Sequence, residues 1–325
     1  MVLSYSFRLL CVALLGVGCV QVAAEVALWV ASPSLLKMLA GSGARRQEQV
    51  LFWGPLMTHA LALALTLVFL VPRYVEAETN MDAERVGWLS AAAAALVLCR
   101  YLRALLHGLS MWVRAIWLLR FREIAEPVKS VTSPPLMSLP QPCPPLALVG
   151  LLRPRILIAK SILDPAKLSA EALAIVLDHE LAHLRHRDNW KLFALACLPG
   201  LGLHTKMRPA YLQLWRRHND WAADDDAVSG DYPRALMLAE SLVACAKYIP
   251  AKEPGYLFTG LATHEDELKL RIERLIGLND SQPKASNRFP VLLALAGVLL
   301  AVACSLLAAA APWLHEAAES ILHLG

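Results

Sequence analysis

The sequence has little charge. Only 18% of its 325 residues are Asp, Glu, Lys or Arg, whereas 57% are hydrophobic, and the mean hydropathy is +0.47. A soluble globular protein is more polar than this, and the hydrophobic excess is concentrated in a few blocks, so the composition indicates a membrane protein. The net charge is only +4. The basic residues flank apolar blocks and form no patch, which argues against direct nucleic-acid binding and fits orientation in a membrane.

The cysteines also lack any pattern of bridges or paired ligands. Their number is odd, most of them lie in apolar runs, and no C-x-x-C pair occurs. The seven are Cys11, Cys19, Cys99, Cys143, Cys197, Cys245 and Cys304. This distribution argues against a disulfide framework and a cysteine-based zinc ribbon, and we expect the cysteines to be buried as small hydrophobic side chains.

Four apolar blocks are long enough, or nearly so, to cross a bilayer with a hydrocarbon core of about 30 Å. They cover roughly residues 7–30, 50–71, 86–106 and 289–314. The first block has an alternative reading as a cleaved signal peptide, with Arg8 in its basic region and a cut near Ala23 and Ala24. Its apolar character continues past that point, so we predict four transmembrane helices.

The loop charges predict the orientation of these helices. Basic residues dominate after the first block, where Lys37, Arg45 and Arg46 outnumber the loop charge Glu48, and also after the third block. The loop between the second and third blocks is acidic. The positive-inside rule then places the amino terminus outside and residues 120–285 in the cytosol. We therefore expect a region with three spans (1–119), a cytosolic domain (120–285), and a fourth span with a short tail (286–325).

A proline-rich connector, residues 127–145, precedes a predicted β-hairpin. Apolar runs at 146–149 and 156–159 flank Gly150 and the segment Arg153-Pro154-Arg155, and short apolar runs around a Gly/Pro turn are typical of hairpins. A hairpin strand with a free edge beside a protease site could bind an extended substrate by β-augmentation.

The most informative motif is His179-Glu180-Leu181-Ala182-His183. Residues four apart project from nearly the same face of a helix, so both imidazoles can reach one metal ion. Glu180 can then act as a base toward a water at that ion. The pattern H-E-x-x-H is typical of zinc proteases. We expect its helix to begin near Pro165 or Ser169 and to run past Arg185, with His186 and Asp188 continuing it.

A catalytic zinc ion needs a third protein ligand and one open position. The best source is Asp220-Trp221-Ala222-Ala223-Asp224, on a predicted helix that begins near Pro209. We predict Asp220 as the third ligand and Asp224 as the acceptor of the remaining ring N–H of a ligand histidine. His218 is a fallback ligand, and Asp188 is either a structural cap or a hydrogen-bond acceptor.

Three stretches of the chain resemble the BlaR/MecR-type integral-membrane zinc metallopeptidases, which signal antibiotic stress in bacteria by cleaving a cytosolic repressor. They are Gly150-Leu151-Leu152-Arg153-Pro154-Arg155-Ile156, residues 179–188, and the acidic helix that ends Asp225-Asp226-Ala227-Val228. The order of loops and spans from about residue 1 to 310 is also similar. The resemblance implies a cytosolic zincin-like (gluzincin) α+β domain, one Zn²⁺, and a protein substrate such as a DNA-binding repressor.

Two features depart from that family. Asp220 stands where the family has Glu, and it is one methylene shorter, so its helix must lie about 1 Å closer to the metal or hold it more weakly. The extracellular sensor of the antibiotic receptors has no counterpart in the sequence. The resemblance therefore implies a protease at the bacterial inner membrane without implying that it senses β-lactams.

Two alternatives remain open at this point. The segment Asp-Trp-Ala-Ala-Asp also resembles the third-ligand motif of HtpX-type quality-control proteases, although the proline-rich connector and the Gly-Leu-Leu-Arg-Pro-Arg segment favour the first family. The other alternative is a non-catalytic scaffold or pseudoprotease, for which the change from Glu to Asp at position 220 is the only support. The intact Glu180 argues against that alternative.

Overall fold

A computed structural model describes residues 5–39, 41–77, 88–121, 126–127, 136–139, 146–164, 166–200, 207–247, 258–260 and 265–279. The predicted fourth span and most of the proline-rich connector lie outside these residues. The described part is mainly helical, with one small sheet. Its five cysteines are free. Cys11 and Cys245 are buried, as the sequence predicted, whereas Cys19 and Cys99 are exposed on the helices that could span a membrane.

Nine α-helices are described. They are α1 (Tyr5–Leu39), α2 (Ala44–Leu65), α3 (Val71–Ala77), α4 (Trp88–Phe121), α5 (Ala170–Arg185), α6 (Asp188–Cys197), α7 (Met207–Val228), α8 (Tyr232–Ala246) and α9 (Glu265–Ile276). A π-helical turn, Thr66–Leu70, joins α2 to α3. Short 3₁₀ turns occur at Lys160–Ile162 and Gly277–Asn279.

Three helical stretches are long and apolar enough to cross a membrane: Tyr5–Leu28, Ala44–Glu76 and Trp88–Arg120. They overlap the first three predicted blocks. Within the best window of each stretch, no more than 33% of the residues are buried, and large apolar side chains such as Val26, Val68 and Leu96 are exposed. An apolar surface of this extent fits contact with lipid.

The sheet has five strands in the order β1-β2-β4-β3-β5. They are β1 (Glu126–Pro127), β2 (Leu136–Leu139), β3 (Leu146–Val149), β4 (Arg155–Ala159) and β5 (Phe258–Gly260). Strands β3 and β4 are antiparallel, with Leu146 opposite Ile158, so the predicted hairpin is confirmed. Gly150 begins its turn at a φ of 101°, a conformation that glycine adopts without a steric penalty.

The hairpin has no free edge beside it. Strand β2 pairs with β4 in parallel, and β5 pairs with β3 in antiparallel orientation. The expectation that a substrate strand could add directly to the hairpin is therefore wrong. Among the described strands, β1 and β5 form the edges, because residues distant in sequence supply partners that the hairpin's own sequence does not reveal.

The helices that could span a membrane pack directly on the helices around the motif. α2 lies against α7, where the Tyr211 hydroxyl donates to the Leu51 carbonyl at 2.7 Å. α4 lies against α6, and a Cβ at Gly108 would collide with the side chain of Cys197. Arg100 of α4 also donates to the Gly200 carbonyl at 3.0 Å. The buried core is consequently continuous from α2 and α4 into the sheet and α5–α8.

A buried polar cluster joins α1, α2 and α4 at the level of Gln21. Its amide oxygen accepts from the Tyr101 hydroxyl at 2.8 Å, and its amide nitrogen lies 2.8 Å from both Glu25 Oε1 and His59 Nε2. Gln21, Glu25 and His59 are at most 6% exposed. Polar groups buried among apolar helices need such partners, since no water is available to replace them.

We expect Gln21→Leu to weaken the association of these helices by about 2 kcal/mol, because three contacts of roughly 0.6 kcal/mol each are lost and Glu25 loses a donor. The measurement is the unfolding of purified protein in detergent on titration with SDS. Ser110→Ala, which removes one hydroxyl bonded within α4, is the control and should stay close to wild type. Equal stability of the Gln21 variant and wild type would contradict the prediction.

Candidate functional site

Helix α5 places the two histidines of the motif side by side. Ser169 is its N-cap, accepting from the Ala172 amide at 3.1 Å, so of the two predicted starts the one at Ser169 is correct. The helix ends at Arg185. His186 is its C-cap and Arg187 adopts a φ of 54°, after which Asp188 begins α6. The expectation that His186 and Asp188 continue the metal helix is therefore wrong, since the left-handed residue turns the chain.

His179, Glu180 and His183 are fully buried. The two imidazole rings are perpendicular, with their Nε2 atoms 3.2 Å apart. Asp220, on α7, brings an oxygen to 3.7 Å from Nε2 of His183. One possible ligand atom from each of His179, His183 and Asp220 lies within 4.8 Å of the other two. The described residues thus include one group that could hold a metal ion, and it is the predicted one.

The other ring nitrogen of each histidine lies against a buried carboxylate. Nδ1 of His179 is 2.9 Å from Oδ1 of Asp224, off the ideal hydrogen-bond direction, and Nδ1 of His183 is 2.8 Å from Oδ2 of Asp188. The first contact is the one predicted for Asp224. The second assigns Asp188 the hydrogen-bond acceptor role that the sequence left open. Both contacts leave Nε2 free to face the common centre.

Arg271, on α9, supplies the positive charge beside Asp224 and Asp220. It is 1% exposed, and its guanidinium donates to both oxygens of Asp224 at 2.9 and 2.6 Å. Its Nη1 is 3.9 Å from Oδ2 of Asp220. Burial alone would raise the pKa of Asp224, but Arg271 and His179 bring it below its ordinary value. Asp224 therefore remains ionised and can orient the His179 ring.

The protonation of the remaining groups follows from burial and neighbouring charge. Burial lowers the pKa of His179 to about 4, although Asp224 opposes this. Burial also lowers the pKa of His183, but the adjoining Asp188 more than compensates, and the net shift is upward. In Asp220, burial raises the pKa to about 6 against the opposing effect of Arg271.

Glu180 lies beside this group and against strand β3. Burial raises its pKa to about 7, while His183 and the backbone of Leu148 act in the opposite direction. Neither of its carboxylate oxygens has a well-directed hydrogen-bond partner among the described residues. A buried carboxyl in this position can hold or release a proton near neutral pH and is free to contact a bound molecule.

His218 is not part of the group. It is 7% exposed, and its ring packs edge-on against Trp221 with centroids 4.9 Å apart. Burial lowers its pKa to about 4, and Arg217 adds to this effect. The structure gives it a packing role on α7, so the fallback ligand is not needed.

The sequence analysis did not identify Arg271 as a residue of the site, although its position on a helix could have indicated this. It lies three residues after Leu268 and four before Leu275, so it falls on the apolar side of an otherwise charged helix. An arginine on the buried face of a helix requires a buried anion. Only the fold reveals that this anion is Asp224.

Neither a protein-family model nor a curated protein matches this sequence. Any function of this chain must therefore be inferred from the geometry of the site itself.

Proposed function

We propose that this chain is a zinc-dependent endopeptidase of the bacterial inner membrane, with a zincin-like domain on the cytosolic side and four transmembrane helices. The observation that carries the proposal is the convergence of His179, His183 and Asp220 around one buried point, with Glu180 next to it. A catalytic zinc site requires three protein ligands and an open position for water, and the adjacent carboxyl can act as its general base.

The donor atoms fit zinc. Two nitrogens bound to one tetrahedral zinc ion at about 2.0–2.1 Å are about 3.3 Å apart, and the two Nε2 atoms are separated by 3.2 Å. A cation there would also offset the two acidic side chains, Glu180 and Asp220, whose pKa values burial raises. The short Asp220 side chain is compatible with this because α7 lies close to α5, with the carboxylate 3.7 Å from His183.

When bound, zinc would polarise the carbonyl of the scissile peptide and increase the acidity of a water. Glu180 is placed to accept the proton of the attacking water and to pass it to the departing amine nitrogen. Asp224 and Asp188 hold the histidine rings in orientation, and Arg271 keeps Asp224 ionised. Burial of the site excludes bulk water from these polar groups.

The substrate class that we propose is a protein, specifically a DNA-binding transcriptional repressor cleaved at the membrane face in a signalling pathway. Two features support it: the likeness of the motifs to BlaR/MecR-type peptidases, and the direct packing of α2 and α4 on the helices around the site. That packing would bring a cytosolic substrate to the surface of the bilayer.

The proposal is tested with full-length protein purified in detergent. We expect about one zinc per chain, and zinc-dependent cleavage of an unstructured reporter such as casein. Removing the metal with a chelator should abolish cleavage, and added Zn²⁺ should restore it. Cleavage that persists without metal, or a preparation with neither zinc nor activity, would overturn the proposal.

Asp220→Ala is expected to weaken zinc binding by about a hundredfold or more, above the range typical of outer-shell partners, because a ligand is lost. Asp220→Glu should retain zinc, since the longer carboxylate still reaches the site. Metal analysis after dialysis against a weak chelator measures both effects. The control is Asp225→Ala, on the same helix but paired with Arg274 instead. Unchanged trace zinc in wild type and Asp220→Ala would favour the non-catalytic scaffold.

A further inference from the structure

Glu48 is buried in the amino-terminal part of α2, where it contacts Lys191 of α6 and Trp215 of α7. The sequence places it among the loop charges after the first apolar block, but the structure puts it inside α2 at 0% exposure. The stretch Ala44–Glu76 has 33 residues and is therefore about 50 Å long. Since the hydrocarbon core is only about 30 Å thick, the turn that carries Glu48 has room to lie beyond it, against the protein.

A continuous series of polar contacts runs from Glu48 to a proposed metal ligand. The Glu48 carboxylate lies 3.2 Å from Nζ of Lys191, on α6. The same Nζ donates to Oδ1 of Asp188 at 2.8 Å, and the other Asp188 oxygen is 2.8 Å from Nδ1 of His183. Three short contacts thus connect the second membrane-spanning helix to the ring of His183.

Lys191 is held in place by two buried carboxylates, so its position depends on Glu48, and the position of Asp188 depends on Lys191. Glu48 and Asp188 are both fully buried, and Lys191 is the cation within hydrogen-bond distance of both. Arg45 is more distant, with Nη1 3.7 Å from Glu48 and 4.0 Å from Asp188. Without Glu48, the flexible Lys191 side chain loses one of its two anionic partners and can turn toward solvent. Asp188 then loses the lysine donor at Oδ1 and is held less firmly against the His183 ring.

We propose that Glu48 is a positioning residue for His183, acting through Lys191 and Asp188, so that α2 forms part of the outer shell of the metal site. This inference rests on the proposed function only in taking His183 as a metal ligand. The competing explanation is that the contacts merely dock α2 on α6 and α7, a role that the Trp215 Nε1–Glu48 contact of 3.0 Å also serves. Docking alone predicts a change in stability without a change in metal affinity.

The experiment measures Co²⁺ binding to the full-length protein in detergent, using the visible absorption of the bound ion and competition with a chelator. No substrate is needed. Glu48→Gln and Lys191→Gln should each weaken Co²⁺ binding about tenfold, the low end of the range for outer-shell partners. The double variant should lose about as much as either single one, because both remove the same connection. Lys191→Arg should recover most of the affinity.

Glu76→Gln is the matched control, since it removes a carboxylate of α3 that is 65% exposed and lies 3.1 Å from Arg73. Its Co²⁺ affinity should equal that of wild type. If Glu48→Gln does not fold, the partly exposed Lys191→Gln carries the test. Wild-type affinity in folded Lys191→Gln, or losses that multiply in the double variant, would overturn the inference.

His183→Ala separates this inference from the proposed function. Loss of Co²⁺ binding in that variant, together with unchanged binding in Lys191→Gln, removes only the role of Glu48. If wild-type protein binds no Co²⁺ and no Zn²⁺, the metal site and the role of Glu48 fall together.

Discussion

Replacing Glu180 with Gln is expected to reduce cleavage of the casein reporter about a thousandfold while zinc stays bound. The amide has nearly the shape of the carboxylate but cannot accept the proton of the attacking water, and a positioned general base contributes between about a hundredfold and ten-thousandfold. Burial raises the pKa of Glu180 to about 7, so the unmodified side chain can exchange protons near neutral pH. Metal is retained because Glu180 is not one of the three ligand residues.

The measurement is the turnover rate at saturating substrate, with zinc content determined on the same preparation. Glu171→Gln is the matched control, since it makes the same substitution in the exposed first turn of α5 and should leave both quantities unchanged. Wild-type activity in the Glu180 variant would remove the catalytic role of this residue. Loss of zinc together with activity would show that Glu180 is needed for the metal site itself.

The largest effect on stability is expected for Arg271→Met. Removing the guanidinium takes two donors from the buried Asp224 and leaves Asp220 without its nearest cation on α9. Breaking one partner of a buried ion pair costs about 3–5 kcal/mol. The free energy of unfolding in detergent, followed by tryptophan fluorescence, should fall by this amount. Metal affinity should fall as well, because Asp224 no longer holds His179 firmly.

Arg274→Met is the matched control. Arg274 lies on the same helix and also binds an aspartate of α7 with two contacts, at 2.6 and 2.7 Å to Asp225, but this pair is 25% and 32% exposed. Solvent replaces most of what is lost, so the cost should be no more than about 1 kcal/mol. If both variants lost the same free energy of unfolding, the buried ion pair would contribute no more to stability than the exposed one. Arg271→Lys should be intermediate, since it keeps the charge but loses the paired donors.

The sequence predicted correctly those features that depend on a single helix or turn. The spacing of His179 and His183 places them on one helical face, and the spacing of Asp220 and Asp224 does the same on α7. The three apolar blocks within the described residues form helices long enough to span a membrane, and the Gly150 turn forms the predicted hairpin. In each case the periodicity of one element determines the result.

Predictions from the sequence were wrong for features that depend on contacts between elements distant along the chain. Helix α5 ends at Arg185 because Arg187 adopts a left-handed conformation, which an arginine rarely adopts and which the sequence therefore does not predict. The hairpin was expected to have a free edge, but β5 occupies it from more than a hundred residues away. Glu48 was read as a loop charge, because nothing near it in sequence shows that Lys191 and Trp215 would bury it.

The sequence by itself determined the chemical inventory: a membrane-type composition, two histidines and a carboxyl in one turn, and a pair of aspartates at matching spacing. Only the tertiary structure decided what surrounds them. It placed Asp224 and Asp188 behind the two histidines, Arg271 behind Asp224, and α2 against the site. The reason is physical: periodicity fixes which residues share a face, whereas the partner of a buried charge is chosen by the packing of whole helices, which depends on the entire chain.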